Sequence, residues 1–384
     1  MQNPITILTQ LLHHIDRDGF RKAVKEYKGD KYVRKLKSYT HFAILLFAQL
    51  TGQHSIRDIE SSMNSKKERL YHLGIPEIKK STLSDANRKR SHEIYKTVFS
   101  QLIQKITRIA PGHKFRFKNP VKILDASTID LCLSVFPWAK FRQKKGAIKL
   151  HVEYDLETQI PTFVSLTDGK VSDIEEARKM SFEKGSILVF DRGYVDYCWY
   201  NQLNTQGMFF VTRLKKNMKY RVVERWKPNK KAGITSDQII RVTGKKADLL
   251  PCELRRIRYV NPEDNQEYVF ITNIMHLSPR TIAALYKARW EIELFFKWIK
   301  QHLKIKSFLG TNENAVMSQI WSALCLYLIL MYIKYLCRVN WTMHKMMVVL
   351  RFNALERVDL YSLFTEMNEQ KDETPFVQYK LELF

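Results

Sequence analysis

The feature that most restricts how this chain can fold is a change of texture at Pro120. Ahead of it, apolar residues recur at helical spacing with few β-branched runs. Behind it they gather into short runs, several closed by an acid or a glycine turn. Val121-Lys122-Ile123-Leu124-Asp125 reads as a strand, Ala147–Tyr154 as a second with clear alternation, and Thr162–Leu166 as a third bounded by Thr167-Asp168-Gly169. Asp173–Met180 then reads as a short helix, and Ile187-Leu188-Val189-Phe190 as a fully apolar strand ending in Asp191-Arg192-Gly193. A helical patch at Tyr197–Leu203 and a strand at Met208–Thr212 follow. Three strands in succession, then alternating helices and strands, imply an α/β fold with a mixed sheet and helices packed on it.

The flanks read differently. Residues 1–115 are helical in pattern, with Ile5–Ile15, His41–Leu50 and Ile56–Met63 as the clearest segments. Ser81-Thr82-Leu83-Ser84-Asp85 offers a helix N-cap, and Asn87-Arg88-Lys89-Arg90 follows within the next turns. Such a helix can lie in a DNA major groove with Ile56–Met63 supporting it, or be an ordinary solvated basic helix. From Asn217 to Met275 short runs (Tyr220–Val223, Gln238–Val242, Cys252–Tyr259, Glu267–Thr272) alternate with polar loops at Lys227-Pro228-Asn229-Lys230 and Asn261-Pro262-Glu263-Asp264, as in a β-rich insertion. Helix returns at Ser278-Pro279, an N-cap with a first-turn proline, and runs past Lys304. The expected division is a helical domain at 1–115, a catalytic domain at 116–216 and 276–310, an insertion at 217–275, and a helical C-terminal region at 311–384. There is no internal repeat or low-complexity tract.

Charge narrows the partner. Lys and Arg number 64 against 39 Asp and Glu, a formal net charge of +25, which suits a polyanion because each phosphate contact releases counterions. Arg88 and Arg90 are the candidate contacts in the helical block. The five cysteines are odd in number and scattered, with no CxxC pair, so the pattern fits a reducing, cytoplasmic setting and neither a disulfide framework nor a zinc site. Met1-Gln2-Asn3-Pro4 lacks the basic-then-apolar pattern of a signal peptide. The apolar stretch Ile320–Ile333 is short of the roughly 18–20 residues of a membrane span, and is expected to be a buried core or interface helix.

The helix after Ser278 carries the most specific pattern. At about 100° per residue, Tyr286, Arg289, Glu293 and Lys300 project at roughly 0°, −60°, −20° and −40°. Leu285, Ile292, Phe296, Ile299 and Leu303 fall beside them as an apolar stripe. One acid among a Tyr, an Arg and a Lys suits a metal-binding carboxylate flanked by phosphate contacts. Spacing alone fits equally an amphipathic helix with an Arg289–Glu293 ion pair.

The arrangement Y-x2-R-x3-E-x6-K, here Tyr286, Arg289, Glu293 and Lys300, resembles the signature of the IS-four family of bacterial insertion-sequence DDE transposases. The likeness extends over roughly residues 115–310, and the helical N-terminal block is similar to that of a subset of the family. It implies a ribonuclease H-like fold, with catalytic aspartates on the first strand and at the end of a later apolar strand, here Asp125 and Asp191. Three carboxylates meeting at one point would repel one another unless divalent cations intervened, and an all-oxygen set suits Mg²⁺. Two ions about 4 Å apart, with Mn²⁺ able to substitute, can activate a water or a 3′ hydroxyl and stabilise the leaving oxygen. The family also implies double-stranded DNA (transposon ends and target) as substrate and a homodimer to pair two ends. Stacking on a flipped base makes Trp226, in the polar loop region, and Trp290, beside Arg289, further candidates. Asp130, Asp155, Asp168 and Asp173 are weaker acid candidates, and Lys149 and His151 share one side of their strand. The rivals are a ribonuclease H-like nuclease without strand transfer and a DNA-binding protein with a decayed site.

Overall fold

The computed structural model describes residues 5–369, except 111, 113–114, 116, 143–144, 229, 231–232, 263–264 and 306. The N-terminal tetrapeptide read for a leader therefore lies outside the described residues, as do Asn229, Glu263 and Asp264 of the two loop signals. The chain forms two compact units: Ala110–Gln301 with Thr311–Glu313, and Met1–Ile109 with His302–Gly310 and Asn314–Phe384.

The first of these units is built on one mixed sheet. Its strands among the described residues are β1 (Val121–Leu131), β2 (Lys140–Arg142), β3 (Lys145–Asp155), β4 (Ile160–Asp168), β5 (Ile187–Phe190), β6 (Phe209–Arg213), β7 (Tyr220–Trp226), β8 (Ile234–Val242), β9 (Leu254–Val260) and β10 (Glu267–Thr272). Their order is β2-β3-β1-β5-β6-β10-β9-β8-β7, with β4 also paired to β3. Within it, β4, β3 and β1 form an antiparallel meander, and β5 and β6 continue from β1 in parallel. An antiparallel triplet joined through its first strand to two parallel strands is the ribonuclease H-like arrangement that the family resemblance implied. Strand β5, Ile-Leu-Val-Phe, is buried at all four positions, because a central parallel strand is covered on both faces. The β-rich segment does not form a sheet of its own. Its strands extend the same sheet through β10, which pairs antiparallel with β6 at Phe270↔Arg213.

A core of aromatic and aliphatic side chains lies against one face of this sheet, with Leu124, Leu188, Phe190, Trp199, Tyr200, Phe210 and Ile271 all buried. Tyr200 stacks on Phe210 with 4.6 Å between ring centroids. Such offset ring pairs add about 0.5–1.5 kcal/mol to area burial, so the strand end that carries Asp191 rests on a rigid base.

The other unit is helical. The apolar stretch at 320–333 lies within the 24-residue helix Glu313–Leu336, buried at every position from Ala315 to Ile333. It is long and apolar enough to cross a membrane, but its surface is covered inside the fold, and the interface alternative is not needed to explain it. The helical block and the C-terminal helices share this unit through main-chain bonds: Ile7 N–H donates to the Glu356 carbonyl at 3.0 Å and Leu8 N–H to that of Ala354 at 2.8 Å. The basic helix runs Lys80–Lys89 with Lys79 as its N-cap residue and no side-chain cap there, which corrects the expectation of a cap within Ser81–Asp85. Glu60 supersedes it: its carboxylate accepts from Lys80 N–H at 2.9 Å, satisfying one of the orphan donors of the first turn.

Candidate active site

Parallel pairing of β1 with β5 runs from Val121↔Ile187 to Leu124↔Phe190. Asp125 and Asp191 are the next residues on each strand, so two carboxylates emerge side by side. Each is held by a backbone amide: Asp125 Oδ1 accepts from Ala126 N–H at 2.8 Å, and Asp191 Oδ1 from Gly193 N–H at 2.7 Å. A Cβ on Gly193 would stand 2.9 Å from Asp191 Oδ1, so a side chain at this position must shift the carboxylate or the turn.

The third carboxylate arrives on a helix that is not continuous. Pro279–Ala288 and Trp290–His302 are separate helices meeting at Arg289, where Arg289 N–H bonds to the Tyr286 carbonyl and Ile292 N–H to that of Arg289. These tight three-residue bonds replace the four-residue ladder, so uniform 100° steps do not carry across the junction. The consequence is contact rather than separation. Arg289 donates from one terminal nitrogen to Asp125 Oδ2 at 3.0 Å and from the other to Glu293 Oε1. Its side chain is 17% exposed, and its Nε is buried with no hydrogen-bond partner.

Electrostatics records the same convergence. The carboxyl of Asp125 is pushed up from 3.8 to about 6, first by burial and further by the charges of Asp191 and Glu293, against the pull of Ala126 N–H and Arg289. Tyr194, buried in the turn after Asp191, has its phenol raised by burial and then by Asp173, Asp125 and Asp191. Among the described residues no three His, Cys, Asp or Glu side chains stand close enough together to hold one ion. The donor chemistry nonetheless fits a hard divalent cation: all donors are carboxylate oxygen, and Asp125 is a desolvated anion whose only ion-pair partner among the described residues is Arg289.

The remaining candidates fall into distinct places. Tyr286 is half-buried, packs against Phe270 at 5.1 Å, and lies 5.7 Å from the Arg289 guanidinium. Lys300 is half-buried on the Trp290–His302 helix, and Trp290 is 58% exposed. Trp226 is already engaged: its Nε1 donates to Glu224 at 2.8 Å, and its ring covers the guanidinium of Arg255, which pairs with buried Asp237. Arg88 is tied to Asp85 at 2.8 Å on the solvent side of its helix. Arg90 requires correction as a DNA contact. It is 4% exposed, and it donates to the carbonyls of Gly29 and Leu36.

A group read only faintly from sequence is better defined. Lys149 Nζ lies 2.7 Å from Asp173 Oδ1, and buried His151 approaches the same oxygen at 3.5 Å. Asp173 therefore belongs to a local charge cluster and is not merely a helix-cap acid. Asp155 is paired with Lys122 at 2.9 Å, while Asp130 and Asp168 are exposed. The sequence signal for the Asp173 group was the strand alternation that put Lys149 and His151 on one side. Nothing in the spacing indicated that Asp173 would face them.

Comparison with known proteins bears on this geometry. Residues 116–329 match the family model described as Transposase DDE domain, and residues 3–76 match Domain of unknown function (DUF4372). The chain is 34% identical over 277 residues to a protein of Sinorhizobium fredii named as transposase y4zB, covering 71% of this chain and 75% of that one. It is 26% identical to a protein of Geobacillus stearothermophilus named as the transposase for insertion sequence element IS5377, covering 85% of each. It is 27% identical to a protein of Synechocystis named as the transposase for insertion sequence element IS4SA, covering 71% and 76%. A family model matching more than half of the chain, over the strands and helices that carry Asp125, Asp191 and Glu293, establishes that this protein is a DNA transposase of the DDE domain family.

Proposed function

We propose that the transposase acts on the terminal inverted repeats of a bacterial insertion sequence of the IS-four type, with Asp125, Asp191 and Glu293 as its catalytic, metal-holding carboxylates. The observation that carries this reading is the placement of two aspartates at the ends of adjacent parallel strands, with Arg289 joining the first of them to Glu293. When bound there, a pair of Mg²⁺ ions (or Mn²⁺) supplies activation of the attacking oxygen and stabilisation of the leaving one. The chain's own residues do the rest. The amides of Ala126 and Gly193 fix the two aspartates. Arg289 changes partners, from the carboxylates to a DNA phosphate, for which its planar fork is suited. Lys300 adds a point charge further along the same strand, Tyr286 braces the arginine, and Trp290 offers a face for an unpaired base.

The reaction is two displacements at phosphorus. First, a water oxygen bonds to phosphorus as the bond to the 3′ oxygen breaks, leaving a 3′ hydroxyl on the element. That hydroxyl then bonds to a target-strand phosphorus and displaces the target's 3′ oxygen. Pairing two ends calls for a homodimer, acting in the cytoplasm at the nucleoid.

The test is cleavage and joining on a supplied plasmid target. Asp191→Ala and Glu293→Ala should each abolish cleavage while leaving end-DNA affinity within about twofold, because ligand loss removes chemistry and not backbone contacts. Substantial cleavage by either variant would remove that residue from the site. Cleavage without joined products in the unaltered protein would favour a nuclease.

A further inference from the structure

The helical unit has a cationic surface that neither the site nor the sequence motif explains. Between residues 21 and 37 eight Lys and Arg side chains are exposed, against two acids, Glu26 and Asp30. Of these acids, Asp30 is half-buried and already engaged: its Oδ1 accepts from Ser38 N–H at 2.7 Å and Ser38 Oγ–H at 2.8 Å, and it lies 3.9 Å from Arg90. A shallow pocket of about 360 Å³ opens among Arg21, Val24, Lys25, Lys28, Asp30 and Lys31. Beside it Tyr32 is 91% exposed, with Lys31 5.0 Å from its ring.

The segment is built, not frayed. Lys28 and Tyr32 adopt left-handed backbone conformations, φ 52° and 59°, which cost non-glycine residues energy unless their surroundings impose them. Arg90 imposes them from inside through the carbonyls of Gly29 and Leu36. A Cβ on Gly29 would stand 2.5 Å from Ile94 Cδ1, so the turn also packs closely beneath. The Lys80–Lys89 helix is a poorer candidate: Arg88 and Lys89 both pair with Asp85, at 2.8 and 3.5 Å.

We infer that residues 21–37 form a phosphate-contacting face that grips the backbone of duplex DNA without reading bases, giving a role to the domain of unknown function at the N-terminus. This rests on the reading of the protein as a DNA transposase. Eight exposed cations, of which Arg21 is paired with Asp18, together with an exposed aromatic favour a nucleic-acid backbone over a protein partner.

The experiment is binding of the full chain to a labelled DNA duplex of arbitrary sequence across a monovalent salt series. Lys25→Gln, Lys28→Gln, Lys31→Gln and Lys35→Gln together should reduce the slope of log K against log salt by about 3–4, at about 0.9 per phosphate lost. The Arg88→Gln, Lys89→Gln pair should reduce it by less than about 1. Equal melting temperatures, expected because every altered side chain is exposed, exclude unfolding as the cause. An unchanged slope in the fourfold variant would overturn the inference while leaving the transposase reading intact, as would a loss carried by the Arg88/Lys89 pair. Failure of the unaltered protein to bind duplex DNA would overturn both. Binding to anionic vesicles in preference to duplex would assign the face to a membrane and overturn it.

Discussion

Asp125→Asn should make the metal-free protein more stable. In the folded state this carboxyl is lifted from 3.8 to about 6, chiefly by burial, and its side chain is only 19% exposed. At about 1.4 kcal/mol per pH unit, keeping it ionised costs the fold about 3 kcal/mol, with the attraction of Arg289 already counted. Between pH 3.8 and about 6 the folded protein binds the proton more tightly than the unfolded chain does. Stability therefore falls as pH rises through that window and is level above it. An amide resembles the protonated acid, so the gain should be complete above about pH 6 and absent below about pH 4. A domain of this size moves about 2–4 °C per kcal/mol, so melting in chelator near neutral pH should rise by roughly 6–12 °C. Added Mg²⁺ should narrow the gap, because only the unaltered carboxylate gains from the ion. A variant no more stable than the parent near neutral pH, or a gap unchanged between acid and neutral pH, would refute the reasoning that Asp125 is an undercompensated buried anion.

Two further outcomes follow from the same geometry. Arg289→Ala should lower end-DNA affinity and reduce the salt slope by about 1, with cleavage not restored by excess Mg²⁺; full rescue by metal with unchanged binding would make Arg289 a neutraliser only. Gly193→Ala places a Cβ 2.9 Å from Asp191 Oδ1 and should cut cleavage by about tenfold or more through displacement of that carboxylate, with DNA affinity and melting temperature holding; normal cleavage would mean the turn absorbs the methyl group.

Much of the catalytic unit was legible because its signals are local. The apolar runs at 121–125 and 187–190 predict strands, and both end in acids that the sheet sets side by side. What spacing could not supply was partnering across the sheet. Strand β2, three residues long, has too little pattern to read, and β10 joins the insertion to β6 through a pairing that no periodicity encodes. Asp173 looked like a helix-opening acid because its neighbours in sequence are helical. Its meeting with Lys149 and His151 depends on where β3 lies in three dimensions. Likewise the Ser81–Asp85 stretch lost the capping role to Glu60, 20 residues before Lys80 in the chain, because a tertiary carboxylate beats a local hydroxyl when it is already in place.

The two arginines, 289 and 90, show where such reading fails and why. Both stood in sequence as cations facing DNA. A helical period gives the side of a helix on which a residue sits but not what stands opposite, and for a long basic side chain that neighbour decides its role. Arg289 meets two carboxylates, which leaves it one exchange of partner away from a phosphate: its guanidinium is held by anions that a metal ion would satisfy better. Arg90 is buried, donates to the carbonyls of Gly29 and Leu36 and lies 3.9 Å from Asp30, so it braces the 28–37 turn from inside and turns no face to solvent. The cations that face outward are those of the turn it holds. The charge in the chain's RKR cluster thus acts on the surface at second hand, and the basic face lies some fifty residues earlier in sequence.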